Sequence, residues 1–238
     1  MRITIVNLNL DAFDLQGCLG IAQALAALGA TDVAIVHFAA LRAAAQLPLL
    51  GAGLVLGPQG TPFDAYDSGF LPWLERLATA FAGPVLGICG GMQALTLALG
   101  GALGCVDGSP QALGGSYGDR RKVSGPLEIS LSTAAAPGWL LRSAPDLARD
   151  WQAAGARAWQ NHVEQATAIP EALQAIAHSP PTPIEAWAHR SLPWLGCQFH
   201  PERGWLPDAS DGSCTAGKVW LQAWLQVVRD HGQGASCP

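Results

Sequence analysis

A cysteine flanked by glycines has the setting of a catalytic nucleophile. Cys89 lies in the segment Gly-Ile-Cys-Gly-Gly, after an apolar run that follows Pro84 and before helix formers over residues 92–99. This pattern predicts a strand-to-helix turn with Cys89 at its apex, because the glycines relieve crowding around a strained backbone. The amino end of the helix favours a thiolate, and nearby backbone amides can stabilise an oxyanion. The alternative is an inert core cysteine, but core packing does not require glycines on both sides.

A thiolate nucleophile also needs a general base and a group that orients this base. Of the six histidines, His200 stands out because it follows a predicted strand over residues 194–199. Its side chain is therefore expected at the edge of the sheet where Cys89 emerges. Glu202, two residues later, is placed to bond the other imidazole nitrogen and fix the tautomer. A His-x-Glu spacing by itself is more often a coincidence than a catalytic pair.

The elements around these residues predict an α/β fold. Predicted strands over 2–8, 32–38, 53–56 and 85–88 alternate with predicted helices over 13–28, 39–46 and 67–81. Alternation at this spacing indicates right-handed parallel crossovers, and hence an open, doubly wound sheet. Such sheets bind ligands at the carboxyl ends of their strands. We expect residues 8–9, residues 57–64 and Cys89 at that edge.

The second half of the chain is less regular. Residues 102–121, rich in Gly and Ser, predict a surface excursion. Short strands over 125–132, 157–161, 173–178, 184–188 and 194–199, with a turn and helix over 136–147, indicate a partly antiparallel return toward the sheet edge. A loop over 204–213, a closing helix over 215–228 and a frayed tail over 231–238 follow. No repeat or linker divides the chain, so we expect one domain over 1–230.

Composition restricts the partners. The 238 residues are 50% hydrophobic and 13% charged, with a net charge of −5, which is typical of a well-buried globular protein. The only basic cluster is Arg120-Arg121-Lys122, so we expect no nucleic acid partner but a small molecule or a protein. The six cysteines have no metal-site or disulfide spacing. No apolar run approaches the ~20 residues of a membrane span, and the amino terminus is typical of a first strand, which predicts a cytoplasmic protein.

Two motifs taken together resemble those of the class I, triad-type glutamine amidotransferases. They are Leu-Gly-Ile-Cys-Gly-Gly-Met-Gln over residues 86–93 and Phe-His-Pro-Glu over 199–202, about 110 residues later. The resemblance extends from the first strand to the helix after Glu202. It implies a flavodoxin-like open, mostly parallel sheet flanked by helices, with a small antiparallel extension. It also implies that Cys89, His200 and Glu202 hydrolyse a γ-glutamyl amide through a thioester, without a cofactor or metal.

The resemblance extends to substrate contacts. Residues 159–164 resemble the segment that clasps the α-amino and α-carboxyl groups of the substrate, largely through main-chain atoms. This implies that Asn161, Val163 and Glu164 contact the substrate. Gln93 is a further candidate, the alternative being an ordinary helix position facing a loop.

The resemblance also implies an oxyanion hole, in which the Gly90 amide and one amide of loop 57–60 stabilise the tetrahedral intermediate. This loop departs from the family pattern, because Pro58 stands at the donor position and has no N–H. Either the loop is shifted by one residue and Gly57 or Gln59 donates, with Gly60 a further candidate for the oxyanion hole, or this half of the hole is weakened.

Three functions are compatible with these residues. The first is a glutaminase subunit that supplies ammonia to a separate synthetase chain. The second is a free-standing hydrolase of a γ-glutamyl amide or γ-glutamyl-amine conjugate. The third, an inactive regulatory module with Cys89 as a redox sensor, is disfavoured by the intact set of Cys89, His200 and Glu202.

Overall fold

The computed structural model describes residues 1–44, 50–81, 83–205 and 214–234. The strands are β1 (Arg2–Asn7), β2 (Asp32–His37), β3 (Gly53–Leu56), β4 (Val85–Ile88), β5 (Ala102–Cys105), β6 (Val123–Glu128), β7 (Ser130–Leu131), β8 (Arg157–His162), β9 (Glu164–Ala168), β10 (Leu173–His178), β11 (Ala186–His189) and β12 (Trp194–Cys197). The helices are α1 (Cys18–Ala27), α2 (Phe38–Ala43), α3 (Phe70–Ala80), α4 (Gly90–Ala98), α5 (Gly138–Ser143), α6 (Leu147–Ala153) and α7 (Ala216–Gly234).

The central sheet has eight strands in the order β2-β1-β3-β4-β12-β11-β10-β7. The pairs from β2 to β12 are parallel, and the pairs from β12 to β7 are antiparallel. The predicted open, mostly parallel sheet with an antiparallel extension is therefore confirmed. Because β4 and β12 are parallel neighbours, with Ile88 opposite Cys197, the segments carrying Cys89 and His200 leave the same edge of the sheet.

The sheet is buried on both faces, as crossover helices require. Alternate residues of β4 point to opposite sides. Leu86 and Ile88 belong to a cluster that includes side chains of α1 and α7, whereas Val85 belongs to a second cluster with α3 and α4. The helices on the two faces thereby fix the position of β4, whose carboxyl end carries Cys89.

The first helix is shorter than predicted, because α1 begins at Cys18 rather than at residue 13. The carboxylate of Asp11 accepts from the amide of Phe13, and the carboxylate of Asp14 accepts from the amide of Gln16. Such local bonds compete with helix formation. Gly17, with a φ of 79°, then directs the chain into the helix.

The region after α4 differs most from the prediction. The expected excursion over 102–121 begins with β5, which pairs with the unpredicted strand β9. The predicted strand over 125–132 is divided into β6 and β7, and β6 pairs with β8 in a separate ribbon rather than in the central sheet. In β9 the residues Glu164, Gln165 and Ala166 are all buried, so the strand lacks the alternation that reveals a half-buried strand.

The remaining differences concern helices. Two helices, α5 and α6, stand where one turn and helix was predicted over 136–147. The closing helix α7 continues to Gly234, into the segment 231–238 that was expected to fray, and Gln226 donates to Asp230 one turn later along it. Residues 206–213 of the predicted loop, the end of the predicted helix over 39–46 and residues 235–238 lie outside the described residues. The domain boundary at residue 230 stays a prediction.

Within the described ranges, none of the helices combines the length and apolar character that a transmembrane segment needs.

Candidate active site

The nucleophile candidate stands on the predicted turn between β4 and α4. Cys89 has φ 50° and ψ −109°, a left-handed conformation that costs free energy for a residue other than glycine. The turn is also tightly packed, since a Cβ on Gly91 would collide with the carbonyl of Leu56 and one on Gly87 would lie 2.7 Å from the amide of Met92. The Cys89 amide donates to the carbonyl of Cys197 at 2.7 Å, which ties the turn to β12.

His200 and Glu202 form a buried pair. Nδ1 of His200 lies 2.8 Å from Oε1 of Glu202, and the two residues are 5% and 3% exposed. Because a carboxylate only accepts, Nδ1 carries the proton and Nε2 is left for other chemistry. Nε2 is buried and has no hydrogen-bond partner in the described chain. The His200 amide donates to the carbonyl of Trp159 at 2.7 Å, so the main chain of His200 is hydrogen-bonded to β8.

The charge on His200 depends on its neighbours. Burial by itself lowers the pKa of His200, but the negative charge of Glu202 and, second to it, charge on Cys89 outweigh burial and hold this pKa well above its ordinary value. The arrangement therefore favours a protonated imidazole beside the sulfur.

A chain of amides connects the nucleophile with β9. Nε2 of Gln198 lies 3.6 Å from Sγ of Cys89, and its Oε1 accepts from Gln93 at 3.2 Å. Gln93 also donates to the carbonyl of Glu164 at 2.6 Å. The structure thus brings two predicted residues, Gln93 and Glu164, into one network with Cys89. Gln198 was missed from the sequence, where its only signal is a polar residue between the apolar strand β12 and Phe199.

His162 was also missed, and it lies beside the predicted substrate contacts. Its Nδ1 is 2.9 Å from the carbonyl of Glu164, so Nδ1 must be the protonated nitrogen. Nε2 is then an acceptor, and it is buried without a partner in the described chain. Burial lowers the pKa of His162 to about 4, so the ring is neutral near pH 7. On either side, Asn161 and Val163 are half-buried.

The carboxylate of Glu164 holds a loop over residues 106–122, which we name the site loop. Oε1 accepts from the amide of Ala112 at 2.6 Å, and Oε2 lies 3.5 Å from the hydroxyl of Tyr117. Burial raises the pKa of Glu164. On the other side, Asp64 accepts from the amides of Gly114 and Gly115. The side chain of Glu164 therefore anchors the site loop.

The loop after β3 lies against the turn of Cys89. The amide of Gly57 donates to the carbonyl of Val6 at 3.0 Å, as part of the sheet, and Pro58 has no N–H. The amide nitrogen of Gln59 lies next to the turn, 2.8 Å from the position of a Cβ added to Gly90. Gly60 is exposed, with no atom near its Cβ position.

The site is nearly closed. Cys89 and His200 are each 5% exposed, although the sequence predicts a nucleophile that points outward from the sheet edge. Tyr117 of the site loop lies close enough to Cys89 for the sulfur's charge to act on its hydroxyl, and burial is the main cause that raises the pKa of Tyr117.

No group of three or more His, Cys, Asp or Glu side chains suited to a metal ion occurs among the described residues.

The chain matches the glutamine amidotransferase class-I sequence family over residues 19–208. It is 30% identical to the glutamine-hydrolyzing GMP synthase of Leifsonia xyli over 63% of this chain and 26% of that protein. It is 31% identical to one of the subunits of the glutamine-hydrolyzing GMP synthase of Methanocaldococcus jannaschii, over half of each chain. The chain thus spans between a quarter and a half of these relatives.

Solved structures share the fold. A glutamine amidotransferase from Thermotoga maritima superposes with a TM-score of 0.56 at 15% identity, covering 100% of this chain and 86% of that chain. A glutamine amidotransferase from Methylobacillus flagellatus gives a TM-score of 0.57 at 16% identity, covering 98% and 94%.

Proposed function

The chain belongs to the glutamine amidotransferase class-I family, and on that premise we propose that it hydrolyses glutamine and supplies the ammonia to a separate synthetase chain. The observation that carries the proposal is the placement of Cys89 on a strained turn at the sheet edge from which the buried His200–Glu202 pair also emerges. A similar chain, from M. jannaschii, is itself part of a GMP synthase made of separate subunits, which supports a synthetase as the partner.

The proposed reaction has two halves. The thiolate of Cys89 attacks the γ-carbonyl of glutamine, and His200 gives its proton to the departing nitrogen, so that ammonia leaves and a γ-glutamyl thioester remains. His200 then takes a proton from water. The water attacks the thioester, which releases glutamate and regenerates the thiolate of Cys89. The raised pKa of His200 supports the first half, since it keeps a proton available beside the thiolate.

Two amides are assigned to the oxyanion. Gly90 lies in the first turn of α4, where amides have no acceptor within the helix. In the loop after β3 the amide of Gly57 is engaged with Val6, Pro58 has none, and the Gln59 amide nitrogen lies next to Gly90. These contacts support Gln59 rather than Gly57 as the second donor, and we assign it so. Gly60 has no assigned role.

The α-amino end of the substrate is assigned to the segment 161–164. The lone pair on Nε2 of His162 is a buried acceptor that suits the α-ammonium group. We assign the α-carboxylate to main-chain atoms of the half-buried residues Asn161 and Val163, although Asn161 pairs with Ser124 of β6 and the Val163 carbonyl accepts from Val106. The bond from Gln93 to the carbonyl of Glu164 holds this segment against α4. We assign no substrate contact to the side chain of Glu164.

The test is ammonia release by the purified chain. We expect slow glutamine hydrolysis by the chain alone and a rise of at least tenfold when the synthetase subunit of a GMP synthase is added. Cys89→Ala is the inactive control, because it removes the nucleophilic sulfur. Cys89 itself is 5% exposed.

Rapid hydrolysis of a γ-glutamyl-amine conjugate by the chain alone would instead identify a free-standing hydrolase. Ammonia release by Cys89→Ala at the rate of the unaltered chain would contradict the mechanism itself.

A further inference from the structure

A fully buried carboxylate lies behind the active site. Glu185, directly before β11, is 0% exposed. Both of its oxygens accept from Nε2 of Gln160 at 3.0 Å, and Oε1 also accepts from the hydroxyl of Ser179 at 2.6 Å. All of these donors are neutral, so the mechanism described above neither uses this group nor explains why a charge should be buried here.

Glu185 is connected to both halves of the site. Through its main chain, its carbonyl accepts from the amide of Gln198 at 2.7 Å, and the side chain of Gln198 contacts the sulfur of Cys89. Through its side chain, it holds Gln160 of β8. The residue before Gln160 is Trp159, whose carbonyl accepts from the amide of His200.

From these contacts we propose that Glu185 is a positioning residue, which fixes β8 against the segment after β12 so that Gln198 and His200 are held at Cys89. Glu185 touches neither substrate nor reacting atoms. The inference rests on the proposed function for its effect on turnover, but the contacts themselves do not depend on which amide is hydrolysed.

The present hydrogen bonds fit the ionised form of Glu185, because its oxygens accept in all of them. A carboxylate accepts from Gln160 with both oxygens, whereas a carboxylic acid must donate one hydrogen. Two acceptors are near at hand: the hydroxyl oxygen of Ser179, 2.6 Å from Oε1 of Glu185, and Oε1 of Gln160, which is buried without a partner in the described chain. Protonation of Glu185 therefore reverses the bond with Ser179 or turns over the Gln160 amide, and either change breaks the present set of bonds.

Burial raises the pKa of Glu185 to about 7, so this change falls near neutral pH. The groups facing it in the described chain are the neutral side chains of Gln160, Ser179 and Thr182 and, from β12, the thiol of Cys197. Burial first, and nearby negative charges second, raise the pKa of Cys197 well above its ordinary value, so this thiol is neutral as well. Glu185 thus titrates without a cation beside it.

The test compares Glu185→Gln with the unaltered chain across pH. The amide has the shape of the protonated acid and does not titrate. We expect kcat of the unaltered chain to exceed that of Glu185→Gln by about tenfold at pH 8.5 and by less than twofold at pH 5.5. The ratio cancels the titration of groups that both proteins share. Glu75→Gln, at an exposed position of α3, is the matched control and should give a ratio near one throughout.

A second variant separates positioning from general damage. In the exchange Gln160→Glu with Glu185→Gln, the carboxylate and the amide trade places, and complementary hydrogen bonds are restored. We expect the double variant to fold and to recover kcat at pH 8.5 to within threefold of the unaltered chain. If Glu185→Gln does not fold, this exchange decides the matter alone, and its failure to fold or to recover activity overturns the proposal.

A ratio that stays constant across pH also overturns the proposal, because a purely structural loss would not titrate. If the unaltered chain hydrolyses no γ-glutamyl amide, with or without a synthetase, the proposed function fails separately. The ratio is then that of the rates at which iodoacetamide alkylates Cys89 in the unaltered chain and in Glu185→Gln, measured by mass spectrometry of the Cys89 peptide. The same pH-dependent ratio supports the role of Glu185, and a constant one rejects it.

Discussion

The assignment of the Gln59 amide to the oxyanion leads to a prediction about one backbone atom. The substitution Gln59→Pro removes this N–H, whereas Gln59→Ala keeps it and removes only the side chain. Both variants lose the bond from the Thr61 amide to Oε1 of Gln59, so that loss is common to the pair. The two variants then differ in the N–H and in the φ that the proline ring fixes.

The expected size follows from what such donors contribute elsewhere. Loss of one oxyanion donor typically costs about 3 kcal/mol of transition-state stabilisation, and each 1.36 kcal/mol is a factor of ten in rate. Gln59→Pro should therefore have a kcat about 150-fold below that of Gln59→Ala. The assay is steady-state ammonia release with saturating glutamine and the synthetase present, on variants whose thermal unfolding shows an intact fold. Equal kcat values for the two folded variants would refute the assignment and return the second donor to another group.

Three further predictions follow from the site. Gly91→Ala should lower the free energy of unfolding, measured in urea, by roughly 2 kcal/mol or more, because its Cβ meets the backbone of Leu56. In the control Gly232→Ala the Cβ enters open space, so the free energy of unfolding should change little. Glu202→Gln removes a charge that raises the pKa of His200. We therefore expect kcat to fall about 30-fold or more and the alkaline limit of the pH profile of kcat to move to lower pH. An unchanged pH profile would contradict the pairing of His200 with Glu202. His162→Phe removes the buried acceptor, so KM for glutamine should rise at least tenfold with a smaller change in kcat; unchanged KM would show that the α-ammonium binds elsewhere.

The sequence predicts those features that depend on local pattern. The alternation up to α4 places Cys89 on its turn, because hydrophobic period, a proline and paired glycines all act within a few residues. The same holds for the strand that ends before His200. The sheet order that brings β12 beside β4 is compatible with these patterns and needs only parallel crossovers.

Other features arise from contacts between distant segments, and no local signal specifies them. The carbonyl of Glu164 is bonded by Gln93, 71 residues away, and its carboxylate by Ala112, 52 residues away. The predicted substrate contact of Glu164 rests on its position in a motif and stays a prediction, whereas the contact of its side chain with the site loop had no signal in the sequence. Glu185 gave no signal, since a single acidic residue near the start of the strand predicted over 184–188 is ordinary.

The anchored site loop has a consequence for kinetics. Asp64 and Glu164 hold it through backbone amides on opposite flanks, and the sulfur beneath is almost inaccessible to solvent. We therefore expect ligand capture to depend on how often these contacts open. A small reagent and a bulky one should react with Cys89 at rates that differ far more than their intrinsic reactivities. Removing the bond of Asp64 or of Glu164 to the site loop should reduce this difference in rate.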